Sequence, residues 1–344
     1  VRILAYERFS ALGCRAPRAL FREGGAMLAG LASDLAAAGH RVVTAVGPDV
    51  EPGWLPGLRA AGVEVVRRRP PEDGGPGLRE LLSGVEAAWI VGPETGGVLE
   101  EMTREVLAEG KTLLGSTPAA VALAGSKLGT AAALEAAGVA VVPTLPLPDA
   151  ELPAGARAWG FPLVVKPEDG VGSEGVGLVR SGAELAQATR RARRHAGAVV
   201  IQPYVPGTHA SVSLLVGPAG AFPLALQGQD VRLGRTFRYH GGEVPLEAPS
   251  ASRALALARS ACAAVPGLAG FVGVDLVLAD GGPVVVEINP RLTTAYLGLR
   301  RACAANVAAL ALEALDGRSP SIPRLDRRVR FTTGGRVTEV RAAA

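Results

Sequence analysis

The chain of 344 residues is 48% hydrophobic and 20% charged, too apolar for a disordered protein and long enough for two or three compact domains. A balance of 36 Lys and Arg against 32 Asp and Glu leaves a net charge of only +4, and aromatics amount to 4%. So weak a field, with so few rings to stack on bases, argues against a nucleic-acid partner.

In chain order, Ile3–Tyr6, Arg41–Val46, Val63–Val66 and Ala87–Val91 are short β-rich runs bounded by turn signals, and they predict buried strands. Glu23–Ala38 sets Met27, Leu28, Leu31 and Leu35 on one helical stripe that stops at Gly39. Glu94–Glu109 repeats the pattern and stops at Gly110. Strand–helix–strand alternation predicts an α/β unit over residues 1–115, a small doubly wound parallel-sheet domain.

The pattern then changes. Thr117-Pro118 joins an N-cap to an N1 proline and opens a short helix, and Ser126 caps a second one over Lys127–Ala137. Phe161–Lys166 and Val176–Val179 predict two strands around a glycine-rich segment, followed by a basic helix over Gly182–His195 and a strand over Val199–Gln202. This gives a unit over residues 116–200. Strands at Ala210–Val216, Phe222–Gln229, Gly270–Leu278 and Val284–Ile288, a helix over Ser250–Ala264 and a closing helix over Arg301–Leu315 make up residues 201–320. Residues 321–344 carry several Arg with no clear periodicity and are expected to form a basic tail.

The cysteines Cys14, Cys262 and Cys303 are far apart and form no C-x-x-C pair, which points to a reducing compartment. The opening segment reaches Glu7 too soon for a secretory signal, and no apolar run is long enough to span a membrane. A soluble, cytoplasmic protein without a membrane partner is expected.

Some motif matches do not carry chemistry. Gly170-Val171-Gly172-Ser173-Glu174-Gly175 fits G-x-G-x-x-G, yet it leads into a strand instead of a helix, so it marks a hairpin tip and not a dinucleotide fingerprint. Gly110-Lys111-Thr112 is no P-loop, because Glu105 stands where the earlier glycine is required. Arg190-Arg191-Ala192-Arg193-Arg194 is read first as a solvated helix face and second as an anion site. The four histidines lack metal-ligand spacing, and H-E-x-x-H and G-x-S-x-G are absent.

Two patterns remain. A glycine-rich hairpin offers backbone N–H groups unobstructed by Cβ, and Ser173 adds a hydroxyl, so Gly170, Gly172 and Ser173 suit phosphates, with Lys166 as a cation on the preceding strand. An ordinary connecting hairpin is the alternative. Glu287 and Asn289 share one face of a strand, and Asp275 on a neighbouring strand completes an all-oxygen set of the kind Mg²⁺ prefers. A satisfied structural polar cluster is the alternative there.

Lys127, the Lys166 hairpin, Gln202-Pro203-Tyr204-Val205-Pro206-Gly207, Asp275 and Glu287-Ile288-Asn289-Pro290-Arg291, in this order and spacing, together resemble an ATP-grasp ligase over residues 115–316. The first domain resembles the pre-ATP-grasp domain of that family. The resemblance implies an ATP-grasp fold of two α+β subdomains clamping ATP. By it, Lys127 and Lys166 contact the phosphates, Gln202 and the backbone at Tyr204-Val205 line the adenine pocket, and Asp275, Glu287 and Asn289 hold Mg²⁺, with Mn²⁺ as a substitute. Two positions depart from the family pattern. His209 stands where a ribose-binding Glu is common, although a neutral imidazole still hydrogen-bonds a hydroxyl, and Gln202 stands where many relatives have Glu.

A narrower resemblance, to tyramine–glutamate ligases of methanofuran and methylofuran biosynthesis, lies in Asn289-Pro290-Arg291-Leu292-Thr293-Thr294-Ala295-Tyr296-Leu297-Gly298-Leu299-Arg300. It extends to Glu7, Glu23-Gly24, Met27-Leu28, Asp34-Leu35 and Gly39-His40. It implies small-molecule substrates, L-glutamate and an amine such as tyramine, joined through an acyl phosphate, and it leaves a homo-oligomer open. In this scheme Lys166 and Arg291 are catalytic; Arg291 steadies the carboxylate and the oxyanion, or else partners Glu287. Thr293 and Thr294 orient glutamate, Tyr296 packs on the incoming ring and Glu7 pairs with an ammonium group; domain-interface packing is the alternative for Tyr296 and Glu7. The competing functions are an amino-acid or peptide ligase with another acceptor, and a nucleotide-binding regulator. The latter is disfavoured because both lysines and all three metal ligands are present.

Overall fold

The apolar runs near the N-terminus pair, in the computed structural model, as the parallel sheet that their alternation with helices demands; the structure describes residues 1–67, 77–149, 151–170, 172–234 and 236–340. Strands β1 (Arg2–Glu7), β2 (Arg41–Val46), β3 (Glu64–Arg67), β4 (Ala87–Val91) and β5 (Thr112–Leu113) lie in the order β3-β2-β1-β4-β5, every pair parallel. Helices α1 (Arg8–Leu12), α2 (Arg18–Ala37), α3 (Leu55–Ala60), α4 (Leu78–Ser83) and α5 (Val98–Ala108) join them. Helices cover the two faces of such a sheet, so β1 and β4 are buried almost throughout and appear in the sequence as unbroken apolar runs.

Three details differ from expectation. Helix α2 begins at Arg18, ahead of Glu23, because its first turn carries no apolar stripe and only Pro17 marks its start. Helix α1, not foreseen, follows β1 at once and is capped by the side chain of Glu7. The helix expected from Glu94 is broken by a 3₁₀ turn in which Gly96 and Gly97 take φ +65° and +71°, so α5 starts at Val98.

The next unit contains α6 (Pro118–Gly125), α7 (Lys127–Ala136) and an antiparallel sheet of β6 (Leu145–Pro146), β7 (Leu163–Pro167), β8 (Gly177–Val179) and β9 (Val199–Pro203), ordered β6-β9-β7-β8. Helix α8 (Gly182–Ala192) covers it through Leu185, Ala188 and Ala192. Beyond lie β10 (Thr208–Gly217), β11 (Gly220–Leu233), β12 (Phe237–Val244), α9 (Ala251–Ala263), β13 (Gly270–Ala279) and β14 (Gly282–Asn289). The closing helix expected over Arg301–Leu315 is two helices, α10 (Ala295–Ala302) and α11 (Val307–Leu315), the second capped by the Asn306 side chain on Ala309 N.

The tail also folds. Strands β15 (Val329–Thr332) and β16 (Val337–Glu339) complete a seven-stranded sheet, β14-β13-β10-β11-β12-β15-β16, and Phe331 is buried. Residues 341–344 of the expected tail lie outside the described residues. The arginines Arg328 and Arg330 pair with Glu243 on β12, so the basic run borders the sheet. One continuous core joins Leu28, Leu31 and Leu35 of α2 to Tyr296, Phe271 and Phe331, and this fixes the first domain against the large sheet.

Candidate active site

A cavity of about 200 Å³ opens between the four-stranded sheet, the seven-stranded sheet and the first domain. Its basic wall is built first by β7. Alternation along that strand turns Val164 and Lys166 to the cavity, and Lys166 is 4% exposed. Burial lowers its ammonium to about 8, the charge of Lys127 pushing the same way and Glu287 and Asp275 opposing. At neutral pH it is a cation still. Lys127, the first residue of α7, donates from Nζ to the carbonyls of Gly170 (2.9 Å) and Glu168 (3.3 Å), which ties the glycine-rich hairpin to the helix. Glu168, unnoticed in the sequence, accepts from Ser126 Oγ and from Leu128 N and so reinforces the start of α7.

The hairpin closes over one side of the cavity. Gly172, Ser173 and Gly175 take φ +65°, +64° and +74°, and Ser173 is the one non-glycine at positive φ among the described residues. Gly170, Gly172 and Ser173 all line the cavity; Val171 lies outside the described residues. With no Cβ to cover them, the backbone groups of Gly170 and Gly172 at the cavity wall are open to an anion.

The far end suits a flat apolar ring with a polar edge. Val142, Val164 and Leu276 wall it, together with Tyr204 and Val205. Gln202 donates from Nε2 to Thr144 Oγ1 (2.7 Å), which fixes the amide and leaves its carbonyl as an acceptor. His209 lies edge-on to Phe237, 6.2 Å between ring centres; burial holds its pKa below the ordinary value, and Nε2 has no hydrogen-bond partner. It is a neutral ring with a nitrogen to spare.

Opposite the lysines stand the acids. Asp275 and Glu287 are cross-strand partners on β13 and β14, with Asn289 two residues further on the same face. Asp275 accepts from Gln229 Nε2 (2.9 Å) and Asn289 Nδ2 (3.3 Å), while burial and the charge of Glu287 push its carboxyl up to about 8. Burial works the same way on Glu287, but Lys127, whose Nζ is 3.9 Å away, and Lys166 outweigh it and hold that carboxyl below its usual value. Two half-buried carboxylates facing each other, with the Asn289 side chain beside Asp275, form with its amide oxygen a hard all-oxygen set that a divalent cation such as Mg²⁺ fits. The described residues contain no group of three His, Cys, Asp or Glu arranged for a metal, so the third protein ligand would be Asn289.

Arg291 lines the cavity, and its partner is Glu94 instead of Glu287: Nη2 donates to Oε2 at 3.0 Å, and Nε stands 3.0 Å from Oε1. Sequence reasoning missed this contact, which crosses 197 positions. Thr293 and Thr294 border the same corner; the Thr293 methyl covers Gly273, where a Cβ would lie 2.7 Å from it, and the Thr294 hydroxyl donates to the carboxylate of Glu23.

Two expected substrate residues are placed otherwise. Tyr296 is fully buried outside the cavity; its hydroxyl donates to Asp34 Oδ2 (2.6 Å) and its ring meets Phe271 edge-on. The first turn of α10 rotates it away from its neighbour Thr294 and into the shared core, so it packs the domain interface. Glu7, 1% exposed, spends its oxygens on Phe9 N (2.9 Å), Ser10 N (2.7 Å) and Ser10 Oγ (2.6 Å). It caps α1, and its oxygens are already engaged. Glu23 and Gln229 are cavity residues to which the sequence assigned no role; Glu23 stood only within a resemblance, and Gln229 emerges from the alternation along β11.

Comparison with known proteins agrees with this geometry. A family model described as an ATP-grasp domain matches residues 124–295, and one described as a pre ATP-grasp 3 domain matches residues 40–121. A D-alanine–D-alanine ligase of Anaeromyxobacter sp. (strain Fw109-5) is 38% identical over 149 residues, 40% of this chain and 47% of that protein. A tyramine–L-glutamate ligase of Methanocaldococcus jannaschii is 36% identical over 102 residues, 29% of this chain and 32% of that protein. The match thus spans about half, or less, of the length of these curated relatives. Among solved structures, a putative ATP-grasp superfamily protein from Archaeoglobus fulgidus superposes with a TM-score of 0.69 at 25% identity, over 96% of this chain and 92% of that one.

Proposed function

Because the chain belongs to the ATP-grasp family, we propose that it is an ADP-forming carboxylate–amine ligase that joins the γ-carboxylate of L-glutamate to tyramine through an acyl phosphate. The observation that carries this reading is one cavity in which Lys127 and Lys166 face Asp275 and Glu287, with Arg291 at the corner between them. In this reading residues 1–115 form the substrate side, residues 116–200 the lid and residues 201–320 the catalytic subdomain.

Val142, Val164 and Leu276 hold the adenine, Gln202 accepts from its amino group, and His209 offers Nε2 to a ribose hydroxyl. Lys127, Lys166 and the N–H groups at Gly172 and Ser173 neutralise the phosphates. Asp275, Glu287 and Asn289 would hold a Mg²⁺ ion, which would supply further positive charge to the phosphates. A glutamate carboxylate oxygen attacks the γ-phosphorus and ADP leaves. The free amine then attacks the acyl carbon, loses a proton, and phosphate departs as the oxyanion collapses. Glu94 holds the Nε and Nη2 edge of the Arg291 guanidinium and the Leu292 carbonyl accepts from Nη1, so the charged head is fixed in the cavity wall, where it steadies the substrate carboxyl and its oxyanion. An acyl phosphate hydrolyses in water, so the hairpin closes before the first step.

A second reading keeps the chemistry and changes the acceptor to an amino acid; the identity of 38% to a D-alanine–D-alanine ligase favours it. No described helix is long and apolar enough to cross a membrane, and a cytoplasmic site of action, on small molecules alone, belongs to this proposal. The test is incubation with ATP and L-glutamate against tyramine, tyrosine and D-alanine, read by mass spectrometry. A glutamyl-tyramide supports the first reading, a dipeptide of D-alanine the second, and no condensation product with any acid–amine pair overturns both.

A further inference from the structure

Beyond the Thr294 corner the main cavity continues into a smaller one of about 60 Å³, and Glu23, Gly172 and Arg291 line both. The smaller cavity is walled by Phe9, Met27 and Val91 of the first domain and contains two carboxyl groups, Glu7 and Glu23. Their situations differ. Glu7 already receives three donors from the first turn of α1. Arg291, the one cation on the wall, is committed to Glu94 at 3.0 Å. Glu23 receives a hydroxyl from Thr294 on one oxygen, and no cation stands within ion-pair distance of it among the described residues.

The backbone fixes this arrangement. A Cβ at Gly24 would lie 2.3 Å from Glu7 Cδ, so glycine there lets α2 press against the end of β1. That contact brings Glu23 across to Thr294 in the segment that follows β14, 271 positions away. The charge of Arg291 reaches Glu23 without a direct ion pair, and burial outweighs it and raises the Glu23 carboxyl, so a carboxylate so placed is relieved by a cation in direct contact.

We propose that Glu23 receives the ammonium group of the acceptor amine, with the apolar walls at Phe9, Met27 and Val91 taking the carbon skeleton attached to it. This assignment rests on the ligase reading and makes Glu23 a specificity-determining residue of the acceptor subsite. The site selects amines that carry a positive charge beside an apolar body. The amine is bound next to Arg291 and Thr294, where the acyl group is formed, so once the ammonium has given one proton to water its free lone pair has little distance to travel for attack.

The test compares two nucleophiles on the same acyl intermediate. Hydroxylamine is small and uncharged at neutral pH, traps an acyl phosphate as a hydroxamate and has no need of a carboxylate partner; tyramine arrives as an ammonium ion. In Glu23→Gln, which keeps an acceptor for Thr294, kcat/KM for tyramine relative to hydroxylamine falls about 10- to 100-fold, the loss residing in the tyramine KM. Glu23→Asp recovers part of it. An equal loss for both nucleophiles, or an unchanged ratio, overturns the assignment to the amine while the ligase reading stands. Wild-type protein that forms neither hydroxamate nor amide overturns the ligase reading and this subsite with it.

Discussion

Arg291 and Glu94 form a buried ion pair across the boundary between the first domain and the large sheet, with Nη2 3.0 Å from Oε2 and Nε 3.0 Å from Oε1. One edge of the guanidinium is thereby fixed, and Nη1 is held to the carbonyl of Leu292 at 3.1 Å. Removing one partner of a buried pair strands the other charge, so Glu94→Ala is expected to lower stability by about 3–5 kcal/mol. Glu94→Gln keeps an acceptor and costs less, yet turnover falls by about tenfold or more because Arg291 loses its orientation. Urea unfolding and steady-state rates measure both. Unchanged turnover in a folded Glu94→Gln protein would show that Arg291 is placed without Glu94, by the segment that follows β14.

Lys166 separates charge chemistry from stability. Its ammonium is buried and held down to about 8, a cost to the fold that Met, of similar length, does not carry. Glu287 keeps Lys127, 3.9 Å away, as its counter-charge. Lys166→Met is therefore expected to retain or raise the melting temperature while turnover drops at least about 100-fold. Turnover within a few-fold of wild type would remove Lys166 from the phosphate site.

How much of this was legible depends on how local each signal is. β1 and β4 stand out because burial on both faces leaves unbroken apolar runs. Lys127, Lys166, Asp275, Glu287 and Asn289 form a pattern spread over strands whose order the sequence preserves, and the fold gathers them around one cavity. Glu94 and Glu23 were illegible as partners because their contacts join residues 197 and 271 positions apart. The break between α10 and α11 lies in Cys303-Ala304-Ala305-Asn306, where only Asn306 marks a helix start. The alternation of Val329, Arg330 and Phe331 is too short a period to announce β15.

Tyr296 distinguishes interface packing from substrate contact. Its hydroxyl lies 2.6 Å from Asp34, which Arg300 also grips from Nε (2.9 Å) and Nη2 (2.6 Å). Tyr296→Phe removes one charge-assisted hydrogen bond and is expected to cost about 1.5–3 kcal/mol, with KM for the amine and for ATP both within about twofold of wild type. A selective rise in the amine KM would return Tyr296 to the substrate side.

Glu7 supplies a pH signature. Burial raises its carboxyl from 4.5 to about 7 in the folded state, against the hydrogen bonds from Ser10 and Phe9. The folded protein therefore favours the protonated form, an advantage fully present below pH 4.5 and lost as pH rises through 7. Relative to Glu7→Gln, the wild type is expected to lose up to about 3 kcal/mol across that window and nothing more above it. Thermal melts of both proteins between pH 5 and 8 check this; a constant difference would mean that Glu7 is ionised throughout, its burial offset by its three donors.

The central claim, activation of a carboxylate as an acyl phosphate, is tested most directly by oxygen transfer. Glutamate labelled with ¹⁸O in its γ-carboxylate is turned over with ATP and tyramine, and the released phosphate is weighed by mass spectrometry. ADP is the expected nucleotide product, with a single ¹⁸O in each phosphate, passed from the carboxylate when the C–O bond breaks. Unlabelled phosphate accompanying the amide, or AMP in place of ADP, would contradict it.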